Sequence, residues 1–270
     1  MQERLQNIPD GIKTGDSLNA YWTGAWQSGT GQNGMVYVAT LIAALACGAF
    51  ISTYTAYLLR SAQTDEQGTP DRIDSVQTDQ RDDVSERKGS AIRIVAITGI
   101  NLAIWFGLLW ICGFSVRFLL YALVSSALLG LSVVDLAIFE IPPQFNWFIL
   151  AVGAAATAFD YQNWLGHLIG MFLVSGIFYL IAFATKGKGM GGGDIKLMAT
   201  VGLLLGWQKI LLVMALGSIL GAVIHSIVMK VSKKEHMLAF GPYLSAAAVI
   251  VMCYGDMILQ WYIGSFLTVQ

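Results

Sequence analysis

The stretch VRFLLYALVSSALLGLSVVDLAIFEIPP, Val116–Pro143, decides the fold. No charged residue interrupts it between Arg117 and Asp135, and about 20 predominantly apolar residues are what a helix needs to cross the hydrocarbon core of a bilayer. A membrane span is therefore predicted over 117–138. An aspartate stands close to one end of it, and Pro142 and Pro143 close it off, because proline lacks the N–H that a continuing helix needs.

Similar apolar runs flank this one on both sides. Together they give eight candidate spans, at about 35–59, 91–112, 117–138, 145–160, 164–184, 194–206, 208–230 and 238–265. The run at 194–206 is too short to cross comfortably. The composition agrees with a lipid-embedded chain: 56% of the 270 residues are hydrophobic and 12% are charged, where a soluble domain carries about a quarter charged residues. The expected fold is an all-α, polytopic membrane bundle of about eight transmembrane helices. Its expected organisation is a polar N-terminal segment (1–34), a first span (35–59), a cytosolic polar loop (60–90) and a membrane-embedded core (91–265). The polar 1–34 segment offers no apolar stretch for a cleavable signal peptide.

Charge sets further bounds. A formal net charge of −1 supplies no basic surface for phosphate backbones, which excludes nucleic acid as a partner. With the 61–90 segment inside the cell, only Arg4, Lys13, Arg117 and Lys209 of the 16 basic residues fall outside. The positive-inside rule thus places 61–90, 139–145, 185–194 and 231–237 in the cytosol. Cys47, Cys112 and Cys253 lie singly in apolar runs, so no disulfide framework or zinc cluster is expected. His167, His225 and His236 lack metal-ligand spacing and read as ordinary polar residues with satisfied hydrogen bonds. Gly202-xxx-Gly206 and Gly217-xxx-Gly221 are spacings that let helices approach closely.

An ionisable residue inside a span is costly and needs an interface position or a job. Asp135 is one such residue. Asp194 is the other, in Lys186-Gly-Lys-Gly-Met-Gly-Gly-Gly-Asp194-Ile-Lys196, where a glycine-rich loop leads into an apolar run. The segment between them holds two short spans, so a chain leaving one face after Asp135 has returned to it by Asp194. Two carboxylates that meet near a low-dielectric boundary can share a proton, the arrangement that aspartyl proteolysis uses. Gly191, Gly192 and Gly193 would permit positive φ and a close backbone approach beside Asp194. Spacing alone leaves other readings open: Asp194 as the N-cap of its helix, Asp135 as an interfacial residue, and Glu140 as a rival that lies nearer the loop. Asp160 and Asp256 fall on the outer side and are poor partners.

At this point the residues resemble a known family. Gly189-Met-Gly-Gly-Gly-Asp194-Ile-Lys-Leu-Met-Ala-Thr-Val-Gly-Leu-Leu-Leu-Gly-Trp207 is similar to the GxGD signature region of the type IV prepilin peptidases. Val134-Asp135-Leu-Ala-Ile-Phe-Glu-Ile-Pro142 resembles the family's other motif, an Asp followed seven residues later by Pro. Phe240-Gly241-Pro242 resembles a late family element, and Gly48–Tyr54 a drifted form of an early one. The resemblance covers roughly residues 90–265. It implies a membrane aspartyl endopeptidase of the bacterial inner membrane, with Asp135 and Asp194 as catalytic dyad and no metal or organic cofactor. Its partners would be the lipid bilayer and a type IV prepilin or pseudopilin, whose short basic leader is removed after a Gly, in pilus biogenesis or type II secretion. Gly191–Gly193, Glu140 and Lys196 would support substrate or loop. Lys196 suits lipid headgroups as well as acidic substrate residues. Many family members carry zinc-binding CxxC pairs that accompany N-methylation of the product. The segment 61–90 has no cysteine, so the resemblance extends to leader cleavage and leaves methylation open. Two other classes stand beside it: a presenilin-like GxGD intramembrane protease, and a non-enzymatic transporter or assembly scaffold.

Overall fold

The computed structural model describes residues 33–66, 79–187, 190–232 and 239–267. They form eight α-helices: α1 (Asn33–Glu66), α2 (Asp79–Cys112), α3 (Val116–Ile138), α4 (Pro143–Phe159), α5 (Trp164–Ala184), α6 (Gly192–Leu205), α7 (Trp207–Ser232) and α8 (Gly241–Leu267). One turn of 3₁₀ helix, Tyr161–Asn163, joins α4 to α5. The all-α polytopic architecture is thus as expected, and the chain is a multi-pass membrane protein. α1 and α2 continue as helix past their apolar runs into the polar segment between them. Most of 1–34, the centre of the 60–90 segment, and 233–238 with His236 lie outside the described residues.

The eight expected spans resolve into six helices long and apolar enough to cross a membrane, with α4 and α6 as the two short ones. At 1.5 Å per residue, α6 is only about 21 Å long. Near its start Asp194 is buried while Gly192 and Lys196 are exposed, and its last turn packs against the first turns of α5. Consecutive helices therefore alternate in direction.

α3 is the axis of the bundle. Its span is 61% buried, against 22–39% for the other five candidate spans, and it contacts α1, α2, α4 and α8. Polar side chains fasten the first three helices. Trp105 Nε1 donates to Ser126 Oγ (2.8 Å), Ser126 Oγ donates to Asn101 Oδ1 (2.7 Å), and Asn101 Nδ2 donates to the Ala44 carbonyl (3.0 Å). Each such bond between membrane helices is worth about 0.6–2 kcal/mol.

α6 packs on α4, α5, α7 and α8. Between α5 and α6 the small-residue spacing is reciprocal: a Cβ on Gly170 would strike the Gly202 carbonyl and Gly206, and one on Gly202 would strike the Gly170 carbonyl. Gly217 and Gly221 similarly admit Leu244 and Phe240 between α7 and α8. Both glycine pairs thus serve close packing, as their spacing suggested.

One end of the bundle gathers the C-terminus of α3 and the N-termini of α4, α6 and α8. At the other, Lys209 Nζ pairs with Asp256 Oδ1 (2.7 Å), and Arg117 pairs with the second oxygen of the same carboxylate. His167 Nδ1 lies 2.8 Å from the Leu203 carbonyl and so carries the proton, and its Nε2 faces Asp160 at 3.3 Å. Asp160, Asp256 and His167 are therefore occupied at the end away from Asp135.

Candidate active site

Asp135 lies in the last turn of α3. The helix ends before the prolines, at Phe139, whose left-handed conformation (φ 56°) lets its N–H close on the Asp135 carbonyl. This corrects the expectation that Pro142 and Pro143 stop the helix. Pro142 instead precedes α4 and Pro143 is its first residue, where the missing N–H costs nothing. The Asp135 side chain is 5% exposed, and its Oδ2 accepts the backbone N–H of Gly241, the first residue of α8, at 3.0 Å. The positive end of the α8 dipole therefore faces this carboxylate.

Gly241 has a second reason to be glycine. A Cβ there would stand 2.6 Å from Asp135 Oδ2, so any other residue would displace the carboxylate that its own N–H holds.

Asp194 is the third residue of α6 and is 8% exposed. It is not the N-cap; that position is Gly191, in extended conformation (φ −72°). Negative charge in a first helical turn is favoured by the dipole. The expected positive φ is absent from Gly191–Gly193 and occurs instead at Lys186 (φ 52°) and Gly187 (φ 78°). What these glycines supply is room. A Cβ on Gly193 would lie 2.9 Å from that of Ile141, and one on Gly191 would lie 3.3 Å from Asp194 Oδ2.

Ile141 ties the halves of the site together. Its side chain lies against Gly193, next to Asp194, and against Gly241, next to Asp135. Asp194, which follows Gly193, and Asp135, which accepts from Gly241, therefore flank the same side chain. The structure thus brings together the two aspartates, separated by two helices in the chain, in one buried location at one end of the bundle. Glu140 and Lys196 are exposed and stand outside this buried pair, as do Gly191 and Gly192. Gly241 and Ile141 are site residues whose contacts the sequence left unassigned. Their only signals were a Gly-Pro before an apolar run and an Ile-Pro after an aspartate.

Residues 122–226 match the type IV leader peptidase family. The matched segment contains both aspartates, while Gly241 lies beyond it. The chain is 31% identical over 165 residues to the prepilin leader peptidase/N-methyltransferase of Legionella pneumophila, covering 57% of this chain and 56% of that protein. It is 35% identical over 105 residues to the protein of the same name in Aeromonas hydrophila (38% and 36% of the two chains). To its namesake in Bacillus subtilis strain 168 it is 32% identical over 143 residues (51% and 56%). The chain therefore spans about half the length, or less, of these curated relatives. No solved structure matches it.

Proposed function

We propose that this chain is an aspartic endopeptidase of a bacterial inner membrane. It removes the short basic leader of a type IV prepilin or pseudopilin, after a Gly and at the cytosolic face, in pilus biogenesis or type II secretion. One observation supports the reading: two aspartates on separate helices are each buried at the same end of a membrane bundle, flanking Ile141, and one of them is held by a backbone N–H. An inert interfacial acid needs no such enclosure. The positive-inside distribution puts the aspartate end in the cytosol, and the relatives' names supply the substrate class.

Asp135 and Asp194 form the dyad, sharing one proton because two like charges so close do not both ionise. The ionised carboxylate takes a proton from water as the water oxygen attacks the scissile carbonyl carbon. The protonated carboxyl gives its proton to the carbonyl oxygen. The resulting gem-diol collapses, the C–N bond breaks, and the departing nitrogen takes a proton as the new N-terminus. Gly191–Gly193 leave space for an extended peptide beside Asp194. Lys196 and Glu140, exposed on either side of the buried pair, meet the polar parts of the substrate or the lipid headgroups. The proposal is confined to cleavage, since 61–90 contains no cysteine pair.

The test is co-expression with a prepilin and mass spectrometry of the product. Asp135→Asn and Asp194→Asn should each abolish leader removal while leaving the protein in the membrane, and full cleavage by either would overturn the dyad. The same spectrum shows whether the new terminus gains a methyl group.

A further inference from the structure

Among the described residues, the buried side-chain polar atoms without a hydrogen-bond partner belong to Thr40, Thr55, Asn146 and Ser245. Three of these four lie towards the aspartate end. Ser245 stands one turn along α8 from Gly241, on the same face. Thr55 is next to Tyr54, whose ring meets Phe145 in the first turn of α4 edge-on, with centroids 5.9 Å apart. Asn146 follows Phe145 and is the most demanding of the group. It is 6% exposed, and both its Oδ1 and its Nδ2 are unpaired.

Its position on α4 follows from helical geometry. Gly153 faces α6, where a Cβ would lie 3.3 Å from both the Thr200 carbonyl and the Leu204 N–H. Asn146 is seven residues earlier, two turns back on the same face. α4 and α6 run in the same direction, so two turns back on α6 from Thr200–Leu204 is Gly193–Leu197, the turn that carries Asp194.

An amide buried without a partner destabilises the fold. Leu or Val would fill the same space without that cost. A carboxamide offers one acceptor and a donor pair, complementary to the C=O and N–H of a peptide group. Polar groups left unsatisfied by the fold, next to a reactive pair, are where function is expected to override stability.

We infer that Asn146 is a substrate-binding residue of this site. Its side-chain amide hydrogen-bonds the substrate backbone beside the bond to be cut and holds that peptide in extended form against Asp194. The inference deepens the peptidase reading and rests on it.

The experiment uses the full chain, purified in detergent, with a prepilin as substrate. Wild type, Asn146→Leu, Asn146→Thr and the Asp194→Asn control are each assayed for cleavage and thermal unfolding. Asn146→Leu should unfold at the same temperature as wild type or higher, yet lose about 10- to 100-fold in kcat/KM, as expected for one or two hydrogen bonds to the reacting peptide. Asn146→Thr replaces the amide by a single hydroxyl, a smaller hydrogen-bonding group, and should lie between the two.

Cleavage by Asn146→Leu within about twofold of wild type, on the scale where a lost hydrogen bond costs tenfold, overturns the inference and leaves the peptidase intact. So does a parallel fall in unfolding temperature and cleavage, or failure of Asn146→Leu to fold, because either shows that the amide serves the fold. Absence of cleavage by wild type removes the peptidase reading, and this inference with it.

Discussion

At the residue scale, the site depends on one atom that no side chain supplies. The Gly241 N–H reaches Asp135 from 106 residues away in the chain, and the space for it exists only because Gly241 lacks a Cβ. Gly241→Ala should push the Asp135 carboxylate off that N–H and leave a buried carboxylate short of a donor, at a cost of about 1–3 kcal/mol. Leader cleavage should fall by about 10- to 100-fold on the same scale. Prepilin turnover by Gly241→Ala, measured beside an unfolding curve, checks this; wild-type turnover would show that the bond does not orient Asp135. Asp135 and Asp194 themselves were legible in the sequence, because an acid inside or beside an apolar run is rare and expensive. The acid at Glu140, by contrast, proved exposed, as its place nearer the loop suggested.

At the scale of elements, α6 solves a length problem. A helix of 14 residues cannot span the core from face to face, yet it must deliver Asp194 to one end and return the chain at the other. It does so by pressing its last turns against α5, with Gly166, Gly170, Gly202 and Gly206 at the crossing. Gly202→Leu should force these backbones apart, costing about 1–3 kcal/mol or more. A lowered unfolding temperature in detergent is the expected readout, whereas an unchanged one would mean that the crossing carries no strain. The sequence showed Gly202-xxx-Gly206 but not the matching pair on α5, since a spacing within one helix does not reveal the helix it faces.

At the scale of the molecule, alternating helices give the bundle two distinct ends. The end opposite Asp135 holds Arg117 and Lys209 paired to Asp256, and the segments expected in the cytosol carry most of the Lys and Arg in the sequence. With the native cysteines replaced by serine, a membrane-impermeant thiol reagent added to spheroplasts should label Gln162→Cys and leave Lys186→Cys unlabelled. The reverse pattern would invert the orientation. Both positions are exposed, so accessibility is set by sidedness alone.

The sequence by itself determined the all-α membrane architecture, the approximate limits of the eight helices among the described residues, and that Asp135 and Asp194 lie towards the same end of the bundle. These depend on local properties: the length of apolar runs, the cost of a charge in lipid and the parity of crossings. Only the tertiary structure decided that Phe139 rather than proline ends α3, that Ile141 lies between the two halves of the site, and that Gly241 fixes Asp135. It also decided that the buried Asn146 amide is left unpaired. Ile141 and Gly241 act through contacts with segments remote in the chain, and the turn at Phe139 and the enclosure of Asn146 depend on how the chain packs around them; the hydrophobicity of any one segment determines none of these.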